Sequence, residues 1–250
     1  MTALEIVSLV CAAAAAGVIN AVAGGGTILT FPSLLAIGTL PVVANATSTV
    51  ALVFGTGGSV YGYRRHLSSI RKWLWQFVPV SLLGGLIGSW LLTITGNETF
   101  SRLVPFLILF ATLLFLAQGL VARLTGQSRP RRIWPAILFQ FLVAIYGGFF
   151  GAGIGILMLA TLGFIGLSDI HQMNALKNIL GSLINVVAAI TFISRGLVDW
   201  SKVGIMTLGA VAGYYLGSHY AQKIPQRWVR RIVLGIGFGI SGITFYRQFS

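Results

Sequence analysis

Ala23-Gly24-Gly25-Gly26 and Ala152-Gly153-Ile154-Gly155 lie in step, 129 positions apart, in a chain of 250 residues. The same offset sets Asn45-Ala46 over Asn174-Ala175 and Gly84, Gly88 and Ser89 over Gly213, Gly217 and Ser218. It also sets Arg102-Leu103-Val104 over Arg231-Ile232-Val233. One ungapped step held from Gly24 to Val104 means that the chain is two copies of one unit. In an apolar chain, internal duplication is the sequence mark of a secondary transporter, with helix breaks near the substrate site.

The composition is 56% hydrophobic and only 8% charged, with 32 glycines. Soluble domains carry about 25% charged residues, so this is not one. Apolar stretches of about 20 residues recur along most of the chain, which reads as an all-α polytopic membrane protein set in a lipid bilayer. A β-barrel would instead show dyad alternation in segments of about 10 residues. Met1 to Ala23 resembles a signal peptide in hydropathy, but it carries Glu5, lacks a basic start and matches the second copy, so it reads as part of the mature fold. The net charge of +13 comes from basic residues in short loops between apolar segments. That placement excludes a nucleic-acid surface and reports membrane topology instead. The single cysteine, Cys11, excludes an internal disulfide or a cysteine-based metal site, and in its alanine-rich setting it reads as a small packing residue.

Each copy reads as five elements. The first gives helix 3–23, a short segment 27–38, and helices 41–63, 73–95 and 100–123. The second gives helix 133–152, a short segment 154–167, and helices 170–193, 200–220 and 226–248. The polar run 127–132 (QSRPRR) is a linker between a first membrane repeat, 1–126, and a second, 133–250, within one integral membrane domain. Segment 27–38 is too short to span, because about 20 helical residues are needed. The second element of each copy is therefore a re-entrant or half-helix, which the membrane tolerates only where it is buried in protein or lines a polar cavity.

An odd number of crossings per copy places the two copies in opposite orientations, as inverted-topology repeats. With all elements crossing, the loops after elements three, five and nine share one side. They hold Arg64, Arg65, Arg71 and Lys72; Arg123, Arg129, Arg131 and Arg132; and Lys223, Arg227, Arg230 and Arg231, which is 12 of the 17 basic residues. The other side has Arg102, Arg195, Lys202 and Arg247 among Glu5, Glu98 and Asp199. The positive-inside rule makes the loaded side and the linker cytoplasmic, with both termini outward.

The glycine clusters fall where one helix ends and a short one begins. Glycine there lets the backbone turn and leaves N–H groups free at the new helix start, a site for an anion. Gly24, Gly25 and Gly26 in the first copy and Gly153 and Gly155 in the second are candidate binding residues on this ground; close helix packing is the competing role. Two inverted copies bring two such ends together near the bilayer midplane.

Lys177 is the sharpest single residue. It lies in Asn174-Ala175-Leu176-Lys177-Asn178, about eight residues into an apolar helix, and is the one basic residue of the 17 so placed. A charge at membrane depth costs several kcal/mol, so it faces a cavity or has a partner. Glu5, Glu98, Asp169 and Asp199 all sit near helix ends, which leaves the substrate as its counter-ion. The alternatives are a side chain that snorkels to an interface or one held neutral by burial.

The matching stretch of the first copy is Asn45-Ala46-Thr47-Ser48-Thr49, with Ser48 opposite Lys177 and Thr49 opposite Asn178. Asn45, Ser48 and Thr49 share one helical face, as do Asn174, Lys177 and Asn178. Amide and hydroxyl donors suit an oxyanion; interhelical hydrogen bonding is the competing role for Asn45, Thr47, Ser48, Thr49, Asn174 and Asn178 alike.

The remaining candidates weigh less. His66 lies in a loop and His219 near a helix end, while His171 opens the Lys177 helix and is placed to relay protons. No histidine pair has zinc spacing and no carboxylate cluster accompanies one, so no metal or other cofactor is expected. Gly84-x-x-x-Gly88 and Gly213-x-x-x-Gly217 read as close helix contacts rather than sites. No phosphate-binding loop and no Ser/His/Asp set marks an enzyme.

The stretch Asn20-Ala21-Val22-Ala23-Gly24-Gly25-Gly26, followed by Phe31-Pro32-Ser33-Leu34-Leu35, Gly38 and Pro41, resembles the opening of the TauE/SafE-type sulfite exporter family. Ala44 to Ser48 and Tyr61-Gly62-Tyr63-Arg64-Arg65 fit the same pattern. So do Gly147-Gly148-Phe149-Phe150-Gly151-Ala152-Gly153, Asn174-Ala175-Leu176-Lys177-Asn178 and Val198-Asp199-Trp200 in the second copy. Ile154 departs from the glycine often found there, and Thr161 stands at the offset of Pro32. The resemblance covers essentially the whole chain. It implies a plasma-membrane permease for small sulfur-containing anions such as sulfite or sulfonate-derived compounds, coupled to protons. The expected mechanism is alternating access; a passive anion channel is the nearest alternative and an intramembrane enzyme a more distant one. Apolar helix faces leave room for a homodimer.

Overall fold

The computed structural model describes residues 1–22, 24–62, 67–125, 133–164, 167, 170–220 and 226–249. Among these residues the chain is helical throughout, in ten helices with no strand. They are α1 (Ala3–Val22), α2 (Thr27–Ala36), α3 (Pro41–Gly62), α4 (Leu67–Thr95), α5 (Asn97–Thr125), α6 (Ile133–Phe149), α7 (Ile154–Phe164), α8 (Ile170–Ser194), α9 (Trp200–Tyr220) and α10 (Gln226–Phe249). This is an all-α polytopic membrane protein. Among the described residues, 3–21, 69–95, 97–114 and 172–194 form helices long and apolar enough to cross a bilayer. The linker 127–132, His66 and Asp169 lie outside the described residues.

Most boundaries fall within a few residues of the hydropathy reading. Helix α4 differs most, because it starts at Leu67 rather than residue 73. The apolar pattern begins only after Arg71 and Lys72, yet nothing in Leu67-Ser68-Ser69-Ile70 breaks a helix, so the backbone bonds continue through that polar first turn. Helices α2 and α7 have 10 and 11 residues. At 1.5 Å per residue each covers about 15 Å, roughly half the hydrocarbon thickness.

The helix contacts repeat when every label is shifted by five. Helix α1 packs on α9 and α6 on α4; α3 packs on α9 and α8 on α4; α5 packs on α7 and α10 on α2. Two further pairs, α3 with α8 and α5 with α10, map onto themselves. The first element of each half thus lies on the fourth element of the other, so the halves interlock and share one core.

Glycines make these crossings close. A Cβ on Gly17 of α1 would stand 2.6 Å from the Ala210 carbonyl oxygen, and one on Gly213 of α9 would overlap that of Ala14. In the matching pair, a Cβ on Gly84 would stand 2.8 Å from the Phe141 carbonyl oxygen, and one on Gly88 would overlap that of Ile145. Backbone-to-backbone approach of this kind is how helices associate where lipid supplies no hydrophobic drive.

An edge-to-face aromatic cluster seats the first short helix. Phe31 of α2 meets Phe150 at 5.4 Å between ring centroids and Phe100 of α5 at 6.0 Å, and Phe100 meets Phe149 at 5.5 Å. Thr30 and Ser48 share a 2.6 Å hydroxyl hydrogen bond that ties α2 to α3. Large apolar side chains such as Leu4, Leu138, Ile190 and Leu208 point outward, the inverse of a soluble fold, and Trp75, Trp134 and Trp200 are exposed near helix starts. Asp199 caps α9 through the Lys202 N–H at 3.2 Å and pairs with the Lys202 ammonium at 2.7 Å. Burial pushes its carboxyl up, but these bonds from Lys202 outweigh that and hold it below the ordinary value.

Candidate functional site

The two glycine breaks meet at the centre of the bundle. A Cβ on Gly24 would lie 3.0 Å from the Cα of Gly155, so the backbones of the two halves touch there. Gly24 and Gly153, matched by the repeat, both hold left-handed backbone, with φ of +73° and +76°, which strains any residue bearing a Cβ. The Tyr146 hydroxyl donates to the Ala152 carbonyl at 2.8 Å and pins the second break to the end of α6. Asn45 donates its side-chain N–H to the Phe149 carbonyl at 3.1 Å and pins the same turn from α3.

Beside this contact lies a cavity of about 60 Å³ between α3, α7, α8 and α9. It has room for a few waters or one compact ion of about four or five heavy atoms. Six of the residues singled out from the sequence line it: Gly24, Gly25, Thr49, Gly155, Lys177 and Asn178. The other six do not. The Thr47 hydroxyl accepts a 3.0 Å bond from the Asp199 N–H at the start of α9. Ser48 is held by Thr30, and Asn45 by Phe149. Gly26 is buried against Ala16, and Gly153 faces Ala111 and Leu114. Asn174, one turn before Lys177, is only partly buried and lies outside the lining.

Lys177 is 3% exposed, and its Nζ has no hydrogen-bond partner among the described residues. That burial rules out snorkelling to an interface. The Asn178 Nδ2 is likewise buried with no acceptor. Both atoms are donors, on adjacent residues, and among the described residues no acidic one lines the cavity. Glu98 pairs with Arg102 at 2.7 Å, Asp199 with Lys202, and Glu5 accepts from the N-terminal Thr2 N–H.

The breaks differ in a way the sequence reading does not anticipate. The N–H groups of Gly25 and Gly26, expected to be free, both donate to the Asn20 Oδ1 at 2.6 Å. At the start of α7 the Ile154 and Ile156 N–H groups reach back to Gly151 and Gly153, at 3.4 and 3.1 Å. The N–H of Gly155, which lines the cavity, has no acceptor among the described residues. The helix start that keeps an N–H on the cavity without an acceptor among the described residues is therefore the one beside Lys177.

Asn20, Thr27, Thr56, Ser182, Asn185 and Tyr214 line the cavity too and are missing from the sequence-derived set. Two of them carry a sequence signal. Thr56 and Asn185 are 129 positions apart and continue the stripes of Thr49 and Lys177 by two turns each. Extending the helical face beyond the family motif finds them.

An Asn20→Asp variant keeps both backbone bonds, since a carboxylate accepts them more strongly, and adds a negative charge to the cavity of Lys177. Uptake of any anion bound in this cavity is expected to fall at least about tenfold in a folded protein. Uptake at the native rate would show that the substrate does not meet this wall.

Paired short helices that break at a cavity inside an apolar helical bundle define a membrane transporter rather than an enzyme. The sequence model of the family described as Sulfite exporter TauE/SafE matches residues 9–244, and the chain belongs to that family. It is 28% identical over 246 residues to the "Probable membrane transporter protein" of Haemophilus influenzae, covering 96% of this chain and 94% of the relative. It is 29% identical over 239 residues to the "Probable membrane transporter protein ORF9" of Sinorhizobium sp, with 93% and 89% covered. It is 27% identical over 237 residues to the "Probable membrane transporter protein YfcA" of Escherichia coli strain K12, with 92% and 86% covered. No solved structure matches the chain to a significant degree.

Proposed function

We propose that this multi-pass membrane transporter carries a small oxyanion of the sulfite or sulfonate class by alternating access, and that the cavity beside Lys177 is its binding site. One observation carries the reading: among the described residues, the Lys177 Nζ and Asn178 Nδ2 are buried donors without acceptors, in a cavity with no acidic side chain. A neutral solute would leave the lysine uncompensated, and a cation would be repelled. An anion supplies the missing charge and accepts from both donors. The Gly155 N–H and the positive end of α7 add to the same field.

The repeats are inverted in this reading, and the odd number of elements in each half supports it. The two halves then alternate around a site fixed at their junction. The heavily basic loops face the cytoplasm, which places the termini outside a plasma membrane. Proton coupling runs on the anion itself, on the lysine or through His171, because among the described residues no carboxylate lines the cavity.

Purified protein in liposomes tests this. Sulfite, thiosulfate, sulfoacetate and acetate are offered with and without a pH gradient. Saturable uptake of an anion above equilibration, driven by the gradient, is the expected result. Flux that only equilibrates would replace the carrier with a channel, and uptake of none of the anions would sink the assignment.

A further inference from the structure

We infer that Tyr214 sets the upper size of the anion that the cavity accepts. The argument starts from the repeat. Tyr214 of α9 lies over Gly55 of α3, where an added Cβ would overlap the ring and stand 2.6 Å from its Cε2. The 129-residue step carries Gly55 to Ile184 and Tyr214 back to Gly85. Those two residues also meet, on α8 and α4: a Cβ on Gly85 would lie 3.3 Å from the Ile184 Cα. Both halves therefore make the same crossing with a large residue against a glycine, but the large residue has changed sides.

That exchange matters for the cavity. In one half an aliphatic side chain fills the crossing, and Ile184 is fully buried in an apolar cluster. In the other half the filling comes from α9 as a phenol ring, and that ring forms a cavity wall. Its hydroxyl end faces the Asn20 side chain, which lines the same cavity. Asn20 is itself fixed by the Gly25 and Gly26 N–H groups at 2.6 Å each. The ring is thus seated on glycine below, with the fixed Asn20 side chain at its tip. Packing alone asks only for an aliphatic residue here, as Ile184 demonstrates. The aromatic residue reaches further, and truncating it would enlarge the cavity. A site of the native size favours a bare or short-chain oxyanion over one with a longer chain attached.

The inference rests on the cavity being the anion site, and one experiment separates the two claims. Binding of sulfite and of methane-, ethane- and propanesulfonate is measured by thermal shift and by inhibition of uptake. The native protein, Tyr214→Ala, Tyr214→Leu and Tyr214→Phe are compared. In the native protein affinity falls at least about tenfold from sulfite to propanesulfonate. Tyr214→Ala narrows that gap to within about threefold, and Tyr214→Phe, which keeps the ring, retains the native ranking. Tyr214→Leu, a copy of the aliphatic filling in the other half, falls between them and decides the matter should the alanine variant not fold. Native protein that binds none of the four anions overturns the anion site itself. Native protein that binds sulfite but does not discriminate, or variants with the native size profile, overturn the role of Tyr214 alone.

Discussion

A Lys177→Met variant is expected to insert and fold like the native chain and to lose anion uptake by at least about a hundredfold. Methionine is close to lysine in length and fills the same space without a charge. Among the described residues the native Nζ is buried with no partner, an arrangement that costs stability, so its removal is expected to leave the thermal midpoint in detergent unchanged or raised. A residue that weakens the fold and is indispensable for uptake is the signature of a site rather than of a scaffold. Lys177→Ala is expected to lose uptake as well, with some loss of stability from the cavity it leaves. Native uptake by either variant would remove Lys177 from the substrate path.

The second large effect concerns folding. Gly88→Ala and Gly213→Ala each place a methyl group on a backbone carbonyl of the neighbouring helix, that of Ile145 or of Ala14. The helices must part, and neither neighbour has a flexible end that can yield. The expected cost is about 1–3 kcal/mol or more for each, read as a lower thermal midpoint and poorer recovery from the membrane. Gly204→Ala is the control, because its Cβ meets nothing within 4 Å and alanine is the better helix former. Equal midpoints for all three would show that the close α1–α9 and α4–α6 crossings are not what holds the bundle together.

The fold was legible in the chain to a degree set by the membrane itself. Lipid forces every backbone group to be satisfied within a helix, so apolar runs and glycine breaks translate almost directly into elements. The duplication was legible for the same reason: the halves use the same residues at the same crossings. Gly84 and Gly88 work as Gly213 and Gly217 do. Half of the residues singled out from the sequence were placed on the cavity as well: Gly24, Gly25, Thr49, Gly155, Lys177 and Asn178.

The other half was not, and each miss has a physical cause. A polar residue on an apolar helix has the same sequence signature whether it holds a neighbouring backbone or faces a cavity. Thr47 serves the Asp199 N–H and Ser48 serves Thr30, although both lie in the motif beside Thr49. Asn20 reads as part of a helix end, yet five residues later the chain has turned so that its amide oxygen closes the break it precedes.

The paired glycine breaks and the lone lysine at depth were determined along the chain, because local backbone geometry and the cost of a buried charge depend on residue type and spacing. Which break stays open was decided in three dimensions. Asn20 occupies one helix end, whereas the other lies beside Lys177 and opens on a wall completed by Tyr214 from another helix. Those partners are separated by most of the chain, so only the packing of the halves could bring them together.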